Sequence, residues 1–229
     1  MIRVHVLVEG PTEEDFVNEV LRNHLAHKGV LVDATGIGES RARRGIVPWI
    51  SALRNVRAFM KSDPTAYVTT FVDYYALPGS WPGRDEAGTQ PYHARSAFLS
   101  ARLVAAMTAE LGERWRPERF IPFVMIHEFE ALIFSDAAGA ARAWAQPETE
   151  AALTAIRQQF PSAEAINDSP ETAPSKRLEA VFTELRIGHY DKRTHGNIAA
   201  LELGLGTLAA ACPQFGSWLT RLENLGTQN

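Results

Sequence analysis

Acidic residues follow three apolar, strand-like runs of this sequence. Four of them stand at or just past the end of a run: Glu9, Asp73, Glu128 and Glu130. In an open α/β sheet the carboxyl ends of parallel strands meet at one edge, where ligands bind. Carboxylate oxygens are the ligands that hard divalent cations prefer, and Mg²⁺ keeps several waters free to meet a phosphate. These positions predict a site for Mg²⁺ or Mn²⁺ at the edge of a sheet.

The two glutamates after the third run leave two arrangements open. If the segment stays extended, Glu128 and Glu130 share a face; if a helix begins at Glu128, Glu130 turns about 200° away from it. Both are metal-ligand candidates. His127 is a candidate for proton transfer or for supporting a ligand, and the competing interpretation is a histidine with a purely structural role.

Acids near the first and second runs also have structural interpretations. Glu13, Glu14 and Asp15 follow Thr12 in a pattern typical of a capping box, where the helix dipole favours acids. We interpret Glu14 and Asp15 as structural and leave Glu13 undecided. Asp73 could close an Asx turn, but an acid directly after six strand-forming residues favours a functional role.

Three motifs give the chain a family resemblance: Val8-Glu9-Gly10-Pro11-Thr12-Glu13, Phe71-Val72-Asp73-Tyr74-Tyr75 with Leu77-Pro78, and His127-Glu128-Phe129-Glu130-Ala131-Leu132. They resemble the motifs of the domain of unknown function 4276 family. Residues 173–178 and 190–196 extend the resemblance over nearly the whole chain. That family is similar to TOPRIM domains, the metal-binding catalytic core of topoisomerases, primases and the overcoming-lysogenisation-defect nucleases.

The TOPRIM resemblance implies roles for the acids. Glu9 would be the general acid/base or a metal ligand, and Asp73 would be the first metal-binding aspartate of an Asp-x-Asp pair. Tyr75 stands where the second aspartate is expected, and a phenol is a poor Mg²⁺ ligand because it keeps its proton until about pH 10. A replacement carboxylate is then needed. The candidates, of which the last two lie on a less constrained loop, are Glu128, Glu130, Asp85 and Glu86.

The resemblance also implies an activity, the cleavage of nucleic-acid phosphodiester bonds with Mg²⁺ or Mn²⁺ as cofactor. It implies a role in prokaryotic defence or DNA repair beside an ATPase partner chain. The sequence has no Gly-x-x-x-x-Gly-Lys-Ser/Thr loop, so ATPase activity must come from another chain. DNA and RNA both stay open as substrates, because no ribonucleoprotein motif, zinc finger or helix-turn-helix signature is present. A homodimer is compatible with the sequence.

Basic residues late in the chain could meet a phosphate. Ser175-Lys176-Arg177 follows Pro174 near a predicted helix start, where free backbone amides and the helix dipole favour an anion. Lys176 is the main candidate for stabilising charge on the scissile phosphate, and Arg177 and Lys192 are weaker candidates. His195 could add a proton donor. The competing interpretation of each is a charged helix surface.

Two other classes of function remain open. The first is a catalytically degenerate, TOPRIM-like interaction module whose acidic edge docks an ATPase or a regulator. The second is a phosphoacceptor domain that uses Asp73. The acids at Glu9 and after the third run favour a metal-dependent nuclease over a phosphoacceptor, and a requirement for Mn²⁺ would separate the nuclease from the interaction module.

Composition limits the class of protein. The chain has 229 residues, of which 45% are hydrophobic, enough to bury the core of one large domain or of one domain with a helical extension. Cys212 is the single cysteine, which excludes an intramolecular disulfide and a cysteine-based zinc site. The apolar amino terminus has only the length of a strand, so we expect no export or membrane segment and a cytoplasmic protein.

Charge argues against indiscriminate nucleic-acid binding, because the net charge is −4 and the isoelectric point is about 6.0. Basic residues nonetheless cluster at three places: residues 41–44, residues 114–119 and Lys192-Arg193. Each cluster is more often a solvated face than a binding site.

The hydrophobic pattern predicts an α/β fold, with an open, mainly parallel sheet, helices on both faces and a helical carboxyl-terminal extension. Strands are predicted at residues 2–8, 30–35, 67–72 and 120–126. Helices are predicted at residues 13–27, 46–60, 92–111, 137–145, 148–160, 176–185, 197–203 and 215–225. We place the TOPRIM-like core at residues 1–136 and the extension, packed on the core, at residues 137–229.

Overall fold

The computed structural model describes residues 1–38, 46–112, 115–166, 169 and 171–227. The predicted basic cluster at residues 41–44, and Arg114 of the second cluster, lie outside these ranges. The described residues form the predicted α/β fold, with an open parallel sheet, helices on both of its faces and a helical carboxyl-terminal extension.

The sheet has five parallel strands: β1 (Ile2–Val8), β2 (Val30–Gly36), β3 (Tyr67–Asp73), β4 (Phe120–Ile121) and β5 (Val124–Met125). Their order is β2-β1-β3-β4, and β5 also pairs with β3. Asp73 lies opposite Met125 in this pairing. The carboxyl ends of β1, β3 and β5 therefore meet at one edge, as the sequence predicts.

The predicted strand at residues 120–126 is interrupted in the structure. Pro122 has no backbone N–H to donate to a ladder, and the chain leaves the regular pairing between β4 and β5. The hydroxyl of Thr70 replaces the missing ladder bonds, because Oγ1 donates to the carbonyl of Phe123 (2.9 Å) and accepts from its N–H (3.0 Å). The two short strands keep the direction of one strand, so the segment still ends at the same edge.

The described helices include ten α-helices: α1 (Pro11–Phe16), α2 (Arg22–His27), α3 (Trp49–Ser62), α4 (Arg84–Ala87), α5 (Tyr92–Leu111), α6 (Ala137–Ala143), α7 (Thr149–Arg157), α8 (Pro174–Glu184), α9 (Lys192–Ala211) and α10 (Pro213–Leu225). A π-helical turn at Val17–Leu21 joins α1 to α2. Helix α5 has its predicted bounds. Helix α9 is much longer than the predicted 197–203, and at Gly204, where φ is +74°, it leaves the helical conformation.

Two hydrophobic clusters cover the two faces of the sheet. One face carries Val4, Val6, Val8 and Phe71, which are buried against α1, α2 and the carboxyl-terminal helices. The other face carries Leu7, Val68 and Val72, which are buried against α3 and α5. Alternate residues of each strand thus enter opposite clusters, as expected for a sheet covered on both faces.

The carboxyl-terminal helices share the core of the sheet. Trp218 on α10 stacks on Phe71 and Phe123, with ring centroids 5.2 and 4.8 Å apart, and its indole N–H donates to Oγ1 of Thr69 (2.9 Å). The division at residue 136 stays a prediction. Over the described part of the chain no single helix is long and apolar enough to cross a membrane; α9 and α10 pass that criterion only together, across a bend of 104°.

Candidate functional site

Glu9 links the ends of two neighbouring strands. It follows β1, and Oε2 of its side chain accepts a hydrogen bond from the backbone N–H of Asp73 at 3.4 Å. Asp73 is the last residue of β3, the strand beside β1. The two acids that the sequence predicts from distant segments are therefore brought together.

Glu13 lies near these two acids, and together with Glu128 and Glu130 the three form what we call the acidic group. The position of Glu13 depends on the turn between β1 and α1. The backbone N–H of Gly10 donates to Oε2 of Glu13 at 3.0 Å. A Cβ at position 10 would lie 3.3 Å from that oxygen, so glycine gives the carboxylate its close approach to the backbone. Glu13, undecided in the sequence, is buried and caps its own helix.

Glu128 and Glu130 approach the same ammonium. His127 has a φ of +72°, a conformation that L residues rarely adopt, and turns the chain out of the sheet. Glu128 is then extended, and Glu130 lies in the first turn of a 3-10 helix at Phe129–Ser135. Their Oε1 atoms lie 3.7 and 3.3 Å from Nζ of Lys192. Neither glutamate turns away from the group.

The other carboxylate oxygen of Glu128 occupies the start of α8. The backbone N–H of Ser175 donates to Oε2 of Glu128 at 2.9 Å. The sequence predicts an anion at this helix start, and a carboxylate of the chain itself takes that place. Lys176, the main predicted phosphate partner, has Nζ 2.7 Å from Oε2 of Glu179 on the exposed side of α8.

Lys192 is held beside the acids by the start of α9. Asp191 caps this helix, because its Oδ1 accepts the N–H of Thr194 at 2.7 Å. The backbone N–H of Asp191 donates to Nδ1 of His195 (2.8 Å), whose ring stacks on Tyr190. His195, a predicted proton donor, therefore contributes to the position of Lys192 through the backbone.

The carboxyl groups raise one another's pKa. Burial, followed by repulsion from Glu9 and Glu13, raises the pKa of Asp73 well above its ordinary value. Burial raises the pKa of Glu13 and of Glu130 to about 7 each, and it raises the pKa of Glu9. Burial alone would lower the pKa of Lys192, but attraction to Glu130 and Glu128 outweighs it and the pKa is raised. The acids thus hold their protons to higher pH than free carboxyl groups do, and the cation Lys192 does not offset this effect.

The donors suit a hard cation in their chemistry. All are carboxylate oxygens, and Oε1 of Glu130 is buried and accepts no well-aligned hydrogen bond, although Lys192 is near. Among the described residues, no three acidic, histidine or cysteine side chains already stand close enough together to hold a metal ion. A bound Mg²⁺ would keep water ligands that span part of this spacing.

The sequence identified some members of this group and missed others. Glu9, Asp73, Glu128 and Glu130 come together, and His127 lies just before the last two, with its carbonyl accepting the N–H of Tyr75 at 3.3 Å. Lys192 is the weaker candidate in the sequence and Lys176 the stronger, because local sequence does not show where α9 begins relative to the sheet. The residue pattern carries no signal for the hydroxyl of Tyr190, which is buried and has no hydrogen-bond partner in the described part of the structure. Burial and the nearby Glu130 and Glu128 raise the pKa of Tyr190.

Comparison with known proteins gives one match. The family model described as a domain of unknown function (DUF4276) matches residues 8–223. Searches of the curated proteins and of the solved structures found no match. The matched residues include every member of the acidic group.

Proposed function

The chain belongs to the family described as a domain of unknown function (DUF4276), and from the site within its matched residues we propose that it is a metal-dependent nuclease with a TOPRIM-like core. The reaction is the hydrolysis of nucleic-acid phosphodiester bonds. The resemblance to TOPRIM nucleases supports a role in prokaryotic defence or DNA repair, in the cytoplasm, with an ATPase as partner chain.

One observation carries the proposal. Carboxylates that follow three different parallel strands converge at one sheet edge, where Lys192 contacts two of them. Burying several acids together is unfavourable unless a cation or protons balance the charge. In an open α/β sheet, ligands usually bind at the edge formed by the carboxyl ends of the strands, and these acids lie at that edge.

The side chains take distinct roles in this proposal. Asp73, Glu9 and Glu130 would hold the ion. Glu128, fixed by the N–H of Ser175, would orient these carboxylates or add a further ligand to the ion. Glu130 would thereby supply the carboxylate of the second aspartate in the Asp-x-Asp pair, the position that Tyr75 occupies in this chain. A divalent ion bound here would activate a water and neutralise charge on the phosphate.

Lys192 takes the role of the cation that faces the phosphate. Its side chain is half exposed, so it can contact a ligand from solvent while its ammonium stays beside Glu128 and Glu130. Fixed positive charge of this kind stabilises the extra negative charge of the transition state. Lys176 is paired with Glu179 and is a poorer candidate.

A cleavage assay tests the proposal. Purified protein is incubated with plasmid, linear single-stranded DNA or total RNA in Mg²⁺, in Mn²⁺ or in EDTA. We expect metal-dependent cutting that Glu9→Gln and Asp73→Asn each reduce by at least about 100-fold, since each removes a charge at the reacting centre. Glu9→Gln keeps an oxygen that can accept the N–H of Asp73.

Two variants serve as controls. Glu150→Gln and Asp33→Asn make the same chemical changes on exposed side chains of α7 and β2, and both should cut like wild type. Cutting that persists in Glu9→Gln and Asp73→Asn would contradict the proposal. So would the absence of cutting by wild type on every substrate together with the absence of metal binding.

An interaction module is the second candidate function. It is favoured by the partners that Glu128 already has, because Lys192 and the N–H of Ser175 satisfy it without a metal. In that case the acidic edge would dock the ATPase partner or a regulator, and no cleavage would require Mn²⁺. The metal dependence of the assay above separates the two functions.

A further inference from the structure

A basic cavity lies at the edge of the sheet opposite the acidic group. Its volume is about 450 Å³, it is open to solvent, and it is lined by the second half of α3, the end of α5 and residues 115–119. Arg119 joins it to the amino end of β3, because its guanidinium donates to the carbonyls of Asp63 and Ala66. Strand β3 has seven residues and so separates this cavity from Asp73 by about 20 Å.

Every charged side chain among the described residues that line this cavity is a cation: Arg54, Arg57, Lys61, Arg116 and Arg119. Among the described residues, Glu110 pairs with Arg57 (3.2 Å) and Glu118 with Arg116 (3.7 Å), all on exposed side chains that remain open to solvent. Arg119 donates to carbonyl oxygens, which have no formal charge, so these contacts do not neutralise its guanidinium. In a chain with a net charge of −4, this cavity is a local concentration of positive charge.

Trp115 gives the cavity a flat aromatic surface. Its indole N–H donates to Oγ1 of Thr108 at 2.9 Å, and its ring meets Phe120 edge to face at 6.2 Å. These contacts fix a half-buried ring beside the cations. A nucleotide needs this combination, because its base stacks on an aromatic ring while its phosphates pair with arginine and lysine.

We infer that this cavity binds a nucleotide, with the base against Trp115 and the phosphates among Arg57, Lys61 and their basic neighbours. The volume lies in the range of small-molecule sites. The ligand is either a free nucleotide or one unit of a single strand, since both present the same base and phosphate. The inference does not rest on the proposed nuclease activity, because the cavity shares no residue with the acidic group.

Calorimetric titration in EDTA tests the inference without divalent metal at the acidic group. We expect wild type to bind ATP and AMP. Adenosine has no phosphate and pyrophosphate has no base, so each should bind at least about tenfold more weakly than ATP. Affinity for ATP should fall as salt increases. Titration with a short single-stranded oligonucleotide identifies the source: tighter binding than ATP indicates a strand, and weaker binding a free nucleotide.

Two variants separate the two halves of the ligand. Arg57→Gln combined with Lys61→Gln should weaken ATP and pyrophosphate binding by about tenfold, whereas Trp115→Leu should weaken ATP by about tenfold and leave pyrophosphate unchanged. Lys28→Gln combined with Arg221→Gln removes the same charge from exposed positions elsewhere and should bind like wild type. Circular dichroism checks that each variant is folded. An absence of ATP binding by wild type, or equal losses in the two double variants, would overturn the inference.

Discussion

Lys192 contacts two buried or nearly buried carboxylates although it is far from both in the chain. Its ammonium lies 3.3 Å from Glu130 and 3.7 Å from Glu128. Glu130 is only 1% exposed, so its charge is poorly solvated and depends on a cation. Without a bound metal, Lys192 is the cation nearest to these carboxylates among the described residues.

Replacing Lys192 should therefore destabilise the metal-free protein. Because Lys192 is half exposed, water screens part of the interaction, and we expect Lys192→Met to reduce the free energy of unfolding by about 1 kcal/mol. Urea denaturation in EDTA measures the change. Lys28→Met alters an exposed lysine at the end of α2 and should change stability by less than about 0.5 kcal/mol. Equal effects of the two substitutions would show that Lys192 does not balance the acids.

The residues of the site differ in how far the sequence reveals them. Glu9 and Asp73 could be predicted because each directly follows a strand, and parallel strands end at a common edge. Lys192 could not be chosen over Lys176, because Lys176 begins a predicted helix whereas the helix nearest Lys192 is predicted to begin only at residue 197, and only tertiary packing decides which helix start faces the sheet. The backbone turn at His127, with its positive φ, likewise has no signal in the residue type.

At the scale of elements, a carboxylate from a distant segment accepts the free N–H groups at the start of two helices. Glu128 accepts the N–H of Ser175 at the start of α8. Glu164 accepts the N–H groups of Gln214 (3.0 Å) and Phe215 (2.9 Å) at the start of α10. Free N–H groups at a helix start need partners, and a charged acceptor there also interacts favourably with the helix dipole.

Glu164 should make stability depend on pH. Burial raises the pKa of Glu164 above its ordinary value, although the N–H donors of Gln214 and Phe215 oppose this. The folded protein then holds the proton more tightly than the unfolded chain, so the contribution of Glu164 is full at low pH and is lost as the pH rises through the folded-state pKa. Wild type should lose stability relative to Glu164→Gln as the pH rises from about 4 to about 8.

Urea denaturation of both proteins across this pH range measures the difference. Glu164→Gln keeps an oxygen acceptor but does not titrate, so a constant difference in the free energy of unfolding would contradict the assigned burial.

The contact between α9 and α10 depends on one glycine. A Cβ at Gly216 would lie 2.6 Å from the carbonyl oxygen of Ala209, and backbone on both sides leaves little room to adjust. We expect Gly216→Ala to destabilise the protein by about 1 to 3 kcal/mol. Gly206→Ala in α9 meets no atom within 4 Å and should stabilise the protein by about 0.5 to 1 kcal/mol through helix propensity.

Thermal denaturation compares the two alanine variants. A loss of stability at Gly206→Ala as large as that at Gly216→Ala would mean that close packing at position 216 is not the cause.

Most elements could be predicted from hydrophobic periodicity, and the exceptions have identifiable causes. The strand at residues 120–126 is broken because Pro122 cannot donate to the ladder, and the hydroxyl of Thr70 on the neighbouring strand bridges the break. Helix α9 extends beyond its predicted bounds at both ends, because its first turn is polar and its apolar pattern is interrupted near Gly204.

At the scale of the whole molecule, the carboxyl-terminal helices complete one face of the sheet. Trp218 is almost fully buried between Phe71 of β3 and Phe123 of the broken strand. A core shared in this way predicts that the segments assigned to residues 1–136 and 137–229 unfold together in one transition.

Trp218→Ala should destabilise the whole protein by about 3 to 5 kcal/mol, because it leaves a large cavity between the sheet and α10. Trp218→Phe keeps a ring but removes the hydrogen bond to Thr69, and should have a smaller effect of about 1 to 2 kcal/mol. Circular dichroism of urea unfolding, in the far and near ultraviolet, measures both. Separate transitions at the two wavelengths would contradict a shared core.

Binding of Mn²⁺, measured by electron paramagnetic resonance, tests most directly whether the acidic group at the sheet edge is a metal site. We predict that wild type and the control Asp33→Asn reduce the signal of free Mn²⁺ equally, and that Asp73→Asn weakens binding by about tenfold or more. A folded Asp73→Asn variant that binds Mn²⁺ as wild type does, or a wild type that binds none, would contradict a metal site formed by Glu9, Asp73 and Glu130.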